Sequence, residues 1–387
     1  MPNRIPRTVA GQVRARLPRQ LFLPATSRLL WVPVHLLVIA LAAILVLRVL
    51  SGAGSLLLLP LLSLVIGFSF SGLAFVAHET LHGALVHHPM IRNVVGWIGF
   101  LPFCVSPTLW VAWHNRVHHQ NTNVAGRDPD AYPNWEEYHS DSGARLAVNL
   151  AAPRSGKLRG LITLLIGFSL RSSHMLAVAK KRKYLSPKKW RRALFLSALA
   201  ALFWSAVAFS TGALAFVFVY LVPLLVANSV VMAFIVTNHS LSPLTDRNDT
   251  LASSLTVTLP SWMNFATLGF GYHVEHHLFP SMSNRHAPQV AEVLRRVFST
   301  RYQSMPFLRA LLLIFRTPRI YKDAKLLIEP ATGATWSTLG PVTGVERLTA
   351  HHSKAEEPLD RATMIHLPQP SVRRRMISTI PPPFHTP

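Results

Sequence analysis

The stretch Gly271-Tyr272-His273-Val274-Glu275-His276-His277-Leu278-Phe279-Pro280 carries three imidazoles at i, i+3 and i+4. A helix brings residues at that spacing onto one face. Two earlier stretches are built alike: His78-Glu79-Thr80-Leu81-His82 holds a pair at i, i+4, and His114-Asn115-Arg116-Val117-His118-His119 holds imidazoles at i, i+4 and i+5. Neutral imidazole is a donor for iron, zinc, copper or nickel, so the ligand type leaves the metal open. Ligand number narrows the choice. A mononuclear zinc site uses about three or four protein ligands; the three clusters offer more, which favours two metal ions and redox-capable iron.

Other histidines, among them His35, His87, His88, His139, His174 and His286, lack this spacing and read as structural or solvated. His239, near the end of an apolar run, stays in view as a possible further ligand. One rival reading sits inside the first cluster. His78-Glu79-Thr80-Leu81-His82 also matches HExxH, in which two histidines bind zinc and the glutamate is general base; that reading leaves the other two clusters unused. The lone Cys104 excludes a disulfide framework and a protein-ligated iron-sulfur cluster. No GxGxxG fingerprint marks a dinucleotide site, so electrons for redox chemistry come from elsewhere.

The elements that must position these imidazoles are apolar. Half of the 387 residues are hydrophobic and 14% are charged, and the mean hydropathy is +0.30, values of a membrane protein. The formal charge of +23 sits beside apolar spans, which suits anionic lipid headgroups better than nucleic acid. Apolar runs of spanning length cover about residues 29–50, 56–77, 193–209 and 213–237. Uncharged turns at Ser51-Gly52-Ala53-Gly54-Ser55 and Ser210-Thr211-Gly212 join them into two hairpins. The shorter runs Val94 to Val105 and Leu161 to Leu170 read as interfacial or re-entrant. No acid occurs from Ser142 through Thr245, whereas Lys180 to Lys183 and Lys188 to Arg192 are strongly basic; by the positive-inside rule this region is cytoplasmic. Every histidine cluster then lies on the cytoplasmic side, as do both termini.

The expected fold is thus an all-α integral membrane protein, with four transmembrane helices in two hairpins and a cytoplasmic helical cap holding the metal site. Residues 1–28 form a basic cytoplasmic segment, 29–328 the membrane domain, and 329–387 a tail without stable structure, including Arg373-Arg374-Arg375 and Pro381-Pro382-Pro383.

With its three boxes in this order, the chain resembles the membrane fatty acid desaturases over roughly Leu29 to Pro288. The likeness extends to Gln120-Asn121-Thr122-Asn123, Asn238-His239-Ser240 and Leu278-Phe279-Pro280. The resemblance implies two non-haem iron ions, O₂ as oxidant, and insertion of a C=C bond into a long acyl chain. It implies as metal ligands His78, His82, His114, His118, His119, His273, His276 and His277, with His239 in the place of a further ligand. Glu79, Glu275, Asp128 and Asp130 are expected to hold ring tautomers through the other imidazole nitrogen; for the two aspartates a plain polar turn is an equal reading. The substrate would be a long-chain acyl lipid, acyl-CoA or acyl carrier. His88-Pro89-Met90 is no haem motif, so the electron donor would be a separate ferredoxin or cytochrome b5 type carrier with its reductase. The same boxes serve hydroxylases and ketolases, so the family pattern leaves oxygen insertion open beside desaturation.

Overall fold

The computed structural model describes residues 8–151 and 161–340. The expectations for Arg373 to Arg375 and Pro381 to Pro383 lie outside these residues. Thr8 caps the short helix α1 (Val9–Arg14), its hydroxyl accepting from the Gly11 amide at 3.1 Å. α2 (Trp31–Leu50) exposes Leu36, Leu37, Leu41, Ile44 and Leu45, a contiguous apolar face that only lipid or a partner would cover. α3 (Leu58–Leu81) returns beside it and is buried without a break from Ser69 to Leu81. Small residues permit that close packing. A Cβ on Gly67 would stand 2.5 Å from Val226 Cβ, so no larger residue fits there.

α4 (Pro89–Phe100) ends at a sharp corner, and the arm from Pro107 to Asn121 leaves at 98° to the arm from Pro89 to Phe103. Cys104 turns the corner with φ of 54°, and the Ser106 hydroxyl caps α5 (Pro107–Trp110) through the Leu109 amide at 3.1 Å. The helix then widens into a π-helix over Val111–His118 before α6 (His119–Asn121). α7 (Trp135–Ser140) starts with a capping box between Asn134 and Glu137, and α8 (Ser142–Leu150) is capped by Asp141. α9 (Leu161–Val178) and α10 (Pro187–Thr211) follow; Gly212, with φ of +83°, then reverses the chain into α11 (Ala213–Phe216), a π-turn at Val217–Leu221, and α12 (Val222–His239).

Beyond α12 the elements are short. α13 (Thr250–Ser253), β1 (Thr256–Thr258), α14 (Ser261–Ala266), α15 (His273–Leu278) and α16 (Ala287–Val297) lead to β2 (Ser304–Pro306), which pairs parallel with β1. α17 (Phe307–Arg316) precedes an antiparallel ladder of β3 (Leu326–Ile328) and β4 (Thr335–Ser337). Two cores result. The larger fills the apolar bundle, where Phe75 of α3 meets Phe234 of α12 at 5.8 Å. The smaller gathers Val13, Val274, Leu294 and Tyr302, fastening the N-terminal helix over α15 and α16.

The protein is mostly helical, with several helices apolar and long enough to cross a membrane. Among the described residues five pass on length and composition, Thr26–Leu50, Leu58–Leu81, Leu161–Val178, Pro187–Thr211 and Ala213–His239, and the bent pair could make a sixth. The difference from the four expected spans lies in α9. The apolar run stops before Arg171, but the helix continues to Val178, as arginine is itself a good helix former, and Arg171 pairs with Asp130 at 3.0 Å. Likewise α10 begins at Pro187 rather than near 193, its first two turns carrying Lys188, Lys189, Arg191 and Arg192 after a Ser186 cap. Residues 329–340, placed in the tail from sequence, include β4 and its pairing to β3.

Candidate metal centre

Four helix ends converge on one spot. α3 brings His78, with His82 at its C-cap; the π-helix and α6 bring His114, His118 and His119; α12 ends on His239; α15 brings His273, His276 and His277. The structure gathers all nine imidazoles, and it sorts them into groups. Donor atoms of His78, His82, His114, His119 and His276 lie within 4.8 Å of one another, as do those of His118, His239 and His277. His273 stands beside the second group, its Nε2 2.6 Å from His239 Nε2 and 3.1 Å from His277 Nε2.

The π-helix decides this sorting. A turn closed by i→i+5 bonds aligns residues five apart, so His114 Nε2 faces His119 Nε2 at 3.1 Å. His118, one residue earlier, places its donor nitrogen with those of His239 and His277. An α-helical reading of the second box would have paired His114 with His118 instead.

The nitrogens cannot hold one another by hydrogen bonds alone. An imidazole Nε2 has one in-plane site, either a proton or a lone pair. Yet His114 Nε2 has two such neighbours, His78 Nε2 at 3.2 Å and His119 Nε2 at 3.1 Å, and His119 Nε2 has a second in His276 Nε2 at 3.2 Å. His82 Nε2 is buried with no hydrogen-bond partner at all. Orphaned, converging lone pairs are costly in an apolar interior and are what a metal ion would satisfy, so the donor set fits metal. Burial, and then neighbouring imidazoles, hold His273, His276 and His277 well below the ordinary histidine range, which keeps them neutral donors.

In the second group the Nδ1 partners set the tautomers. His118 Nδ1 faces Asp128 Oδ1 at 3.0 Å, and a carboxylate accepts, so the ring donates there. His239 Nδ1 donates to the Ser253 carbonyl at 3.2 Å. Thr122 gives its hydroxyl proton to the His118 carbonyl at 2.9 Å and therefore accepts from His277 Nδ1 at 3.1 Å. All three Nε2 atoms are left with lone pairs turned inward. Asp128 is itself fixed by the Asn123 amide at 2.8 Å. Asp130 receives Trp113 Nε1 and Arg171 Nε, each at 3.0 Å, which makes it a backstop to His118 rather than part of a separate site with His114 and His118.

The two glutamates depart from expectation, because neither touches an imidazole. Glu79 turns away to Arg28 Nε at 2.9 Å, the Asn284 amide at 3.0 Å and Ser283 Oγ at 3.3 Å. Glu275 receives Thr256 Oγ1 at 2.6 Å and the Tyr302 hydroxyl at 2.5 Å. Burial pushes the Glu275 carboxyl up despite these two donors, and burial beside Glu275 pushes the Tyr302 phenol up as well. Sequence spacing missed Thr122, Ser253, Thr256, Tyr302 and Arg28. Only Thr122, one turn after His118, carried a local signal.

A model of the fatty acid desaturase family matches residues 54–309, well over half of the chain and a range that contains all nine histidines. The chain belongs to the fatty acid desaturase family. Among curated desaturases it is similar to the sn-1 oleoyl-lipid 12-desaturase of Picosynechococcus sp., at 27% identity over 242 residues, covering 60% of this chain and 68% of that protein. It is also similar to the chloroplastic omega-6 fatty acid desaturases of Spinacia oleracea, 22% identical over 240 residues with 58% and 51% covered, and of Glycine max, 22% identical over 236 residues with 58% and 53% covered. The chain spans about half the length of these two plant desaturases in the matched regions.

Proposed function

We propose that this desaturase inserts a C=C bond into a long acyl chain, using O₂ and two electrons from a separate carrier of the ferredoxin or cytochrome b5 type. The convergence of nine imidazoles from four helix ends, with Nε2 atoms facing one another at 2.6 to 3.2 Å, carries the reading. One iron would be held by His78, His82, His114, His119 and His276, and a second by His118, His239 and His277 with His273 beside them. Bound there, the pair would supply the oxidising power needed to break an unactivated C–H bond. The chain's own residues orient the donors: Asp128, Ser253 and Thr122 hold three rings in one tautomer, while the apolar elements around α15 keep bulk water from the imidazoles.

The zinc-protease reading asks Glu79 to serve as general base beside His78 and His82. Its carboxylate is instead engaged by Arg28, Ser283 and the Asn284 amide, which supports redox chemistry over hydrolysis. Hydroxylation or ketolation at the same imidazoles remains the second reading, separated by product.

We also propose four complete crossings, with the metal site and both termini cytoplasmic. His82 at the end of α3 and His239 at the end of α12 each belong to one of the two donor groups, and α10 is followed by a chain reversal at Gly212 after which Tyr220 of the π-turn stacks on Trp204 at 4.1 Å. α9 would then need a partner crossing between α6 and itself, and the described helices there, α7 and α8, have 6 and 9 residues, far below the ~20 needed. That parity supports α9 as an oblique helix that returns to the side it left.

The test is gas chromatography with mass spectrometry of total fatty acids from cells expressing the chain or its His276→Ala variant. A new double bond that vanishes in the variant is expected. A hydroxylated product would move the assignment to the oxygen-inserting branch, and wild-type levels of the new bond in the variant would overturn the metal assignment.

A further inference from the structure

An open cavity of about 320 Å³ lies between the start of α2, helix α14 and the segment after α15, lined by Arg28, Trp31, Asn264, Phe265, Tyr272 and Arg285 among others. The two guanidinium groups differ. Arg28 is engaged by Glu79 at 2.9 Å and the Leu268 carbonyl at 2.6 Å, whereas Arg285 is exposed and, among the described residues, in no ion pair. No acidic side chain lines the cavity, so its wall carries uncompensated positive charge.

Polar groups inside also lack partners. Asn284 is 4% exposed, and its Oδ1 is buried with no hydrogen bond; Asn264 Oδ1, also lining the cavity, is in the same state. Buried amide oxygens of this kind call for donors such as hydroxyls. The remaining wall is apolar and aromatic, with Trp31 edge-on to Phe265 at 5.2 Å. Trp31 opens the first long apolar helix, and Trp262 and Phe265 are 70% and 67% exposed on α14. Aromatic side chains at the end of a span mark headgroup depth in a bilayer, where anionic phosphates meet basic side chains.

We propose that this cavity binds the phosphate-bearing, hydroxylated head of an anionic acyl lipid, with Arg285 taking the phosphate, Asn264 and Asn284 the hydroxyls, and Trp31 and Phe265 flanking the first carbons of the acyl chain. A free inorganic anion would leave the aromatic wall unused, and a bare hydrocarbon tail would leave Arg285 and both amides unused. That the lipid is the substrate rests on the function proposed above. The binding itself does not.

The test is isothermal titration of iron-free protein in neutral detergent with dihexanoyl phosphatidylglycerol, dihexanoyl phosphatidylcholine and stearoyl-CoA. Phosphatidylglycerol is expected to bind more tightly than the zwitterionic lipid, with Arg285→Glu weakening it by about tenfold or more and Arg285→Lys retaining most of it. Stearoyl-CoA binding more tightly still, with the same dependence on Arg285, would keep the site and make coenzyme A the source of the phosphate. Equal binding of the two phospholipids, no binding, or an unchanged affinity in Arg285→Glu would overturn the proposal. Because the titration needs neither iron nor turnover, the two readings fail separately. Protein that binds phosphatidylglycerol through Arg285 but makes no double bond counts against the function alone. Active protein indifferent to Arg285→Glu counts against the cavity alone.

Discussion

Thr122 Oγ1 lies 3.1 Å from His277 Nδ1, 155 residues away in sequence, and is buried with it. Because the same hydroxyl donates to the His118 carbonyl, it can only accept from the ring, so one threonine both sets the tautomer of His277 and ties the second box to the third. Thr122→Val should weaken iron at the second group by about 10- to 100-fold, the usual cost of losing an outer partner of a ligating histidine. Thr122→Ser should restore it. Iron per chain by plasma mass spectrometry, titrated against a competing chelator, reads the difference; equal iron in Thr122→Val and wild type would refute the link.

Asp128 does the same for His118 and is held in turn by the Asn123 amide. Asp128→Asn presents an amide where a carboxylate accepted, so iron affinity should fall by roughly 10-fold or more while helical content by circular dichroism stays at the wild-type level. Loss of helix together with iron would show that the residue acts on folding instead.

Arg28 and Glu79 form a buried ion pair, with side chains 13% and 2% exposed. Removing one partner of such a pair costs about 3–5 kcal/mol because the other charge is left uncompensated. Arg28→Ala should therefore unfold at lower denaturant in detergent micelles, and Arg28→Ala with Glu79→Gln should recover much of the loss. A double variant no more stable than Arg28→Ala would rule out charge as the cause.

Tyr302→Phe removes the 2.5 Å donor to Glu275 and leaves Thr256 as its other side-chain partner. An unsatisfied buried acceptor costs about 1–3 kcal/mol, and Tyr302 also belongs to the core that fastens α1 over α15 and α16. The expected result is a lower midpoint, together with faster amide hydrogen exchange in residues 8–14. Unchanged exchange there would sever Tyr302 from the docking of α1.

Chelation of iron should lower the midpoint of thermal unfolding, and added ferrous ion should restore it. At a free concentration 1,000-fold above Kd, one site contributes about 4 kcal/mol by mass action. A midpoint insensitive to chelator would mean that the nine imidazoles keep their places without metal.

The histidine types, their order and their spacing determined much of this protein before any tertiary contact was known. So did the apolar runs, because the bilayer demands length and hydrophobicity, and both are written locally. The length of α9 was not legible from hydropathy, since Arg171 ends the apolar run while the helix, which arginine favours, runs on to Val178 with Arg171 paired to Asp130, 41 residues away. Glu79 and Glu275 sit between histidines in sequence and so read as their partners. On a helix, however, adjacent residues point in different directions, and the folded chain gave these carboxylates to Arg28, Ser283, Thr256 and Tyr302. The division of the second box was decided in the same way. His118 and His119 are neighbours in the chain, but a π-helix sends one toward His239 and His277 and the other toward His82 and His276. Nothing in the local pattern specifies that extra residue per turn. It follows from the packing of four distant helix ends around one buried point.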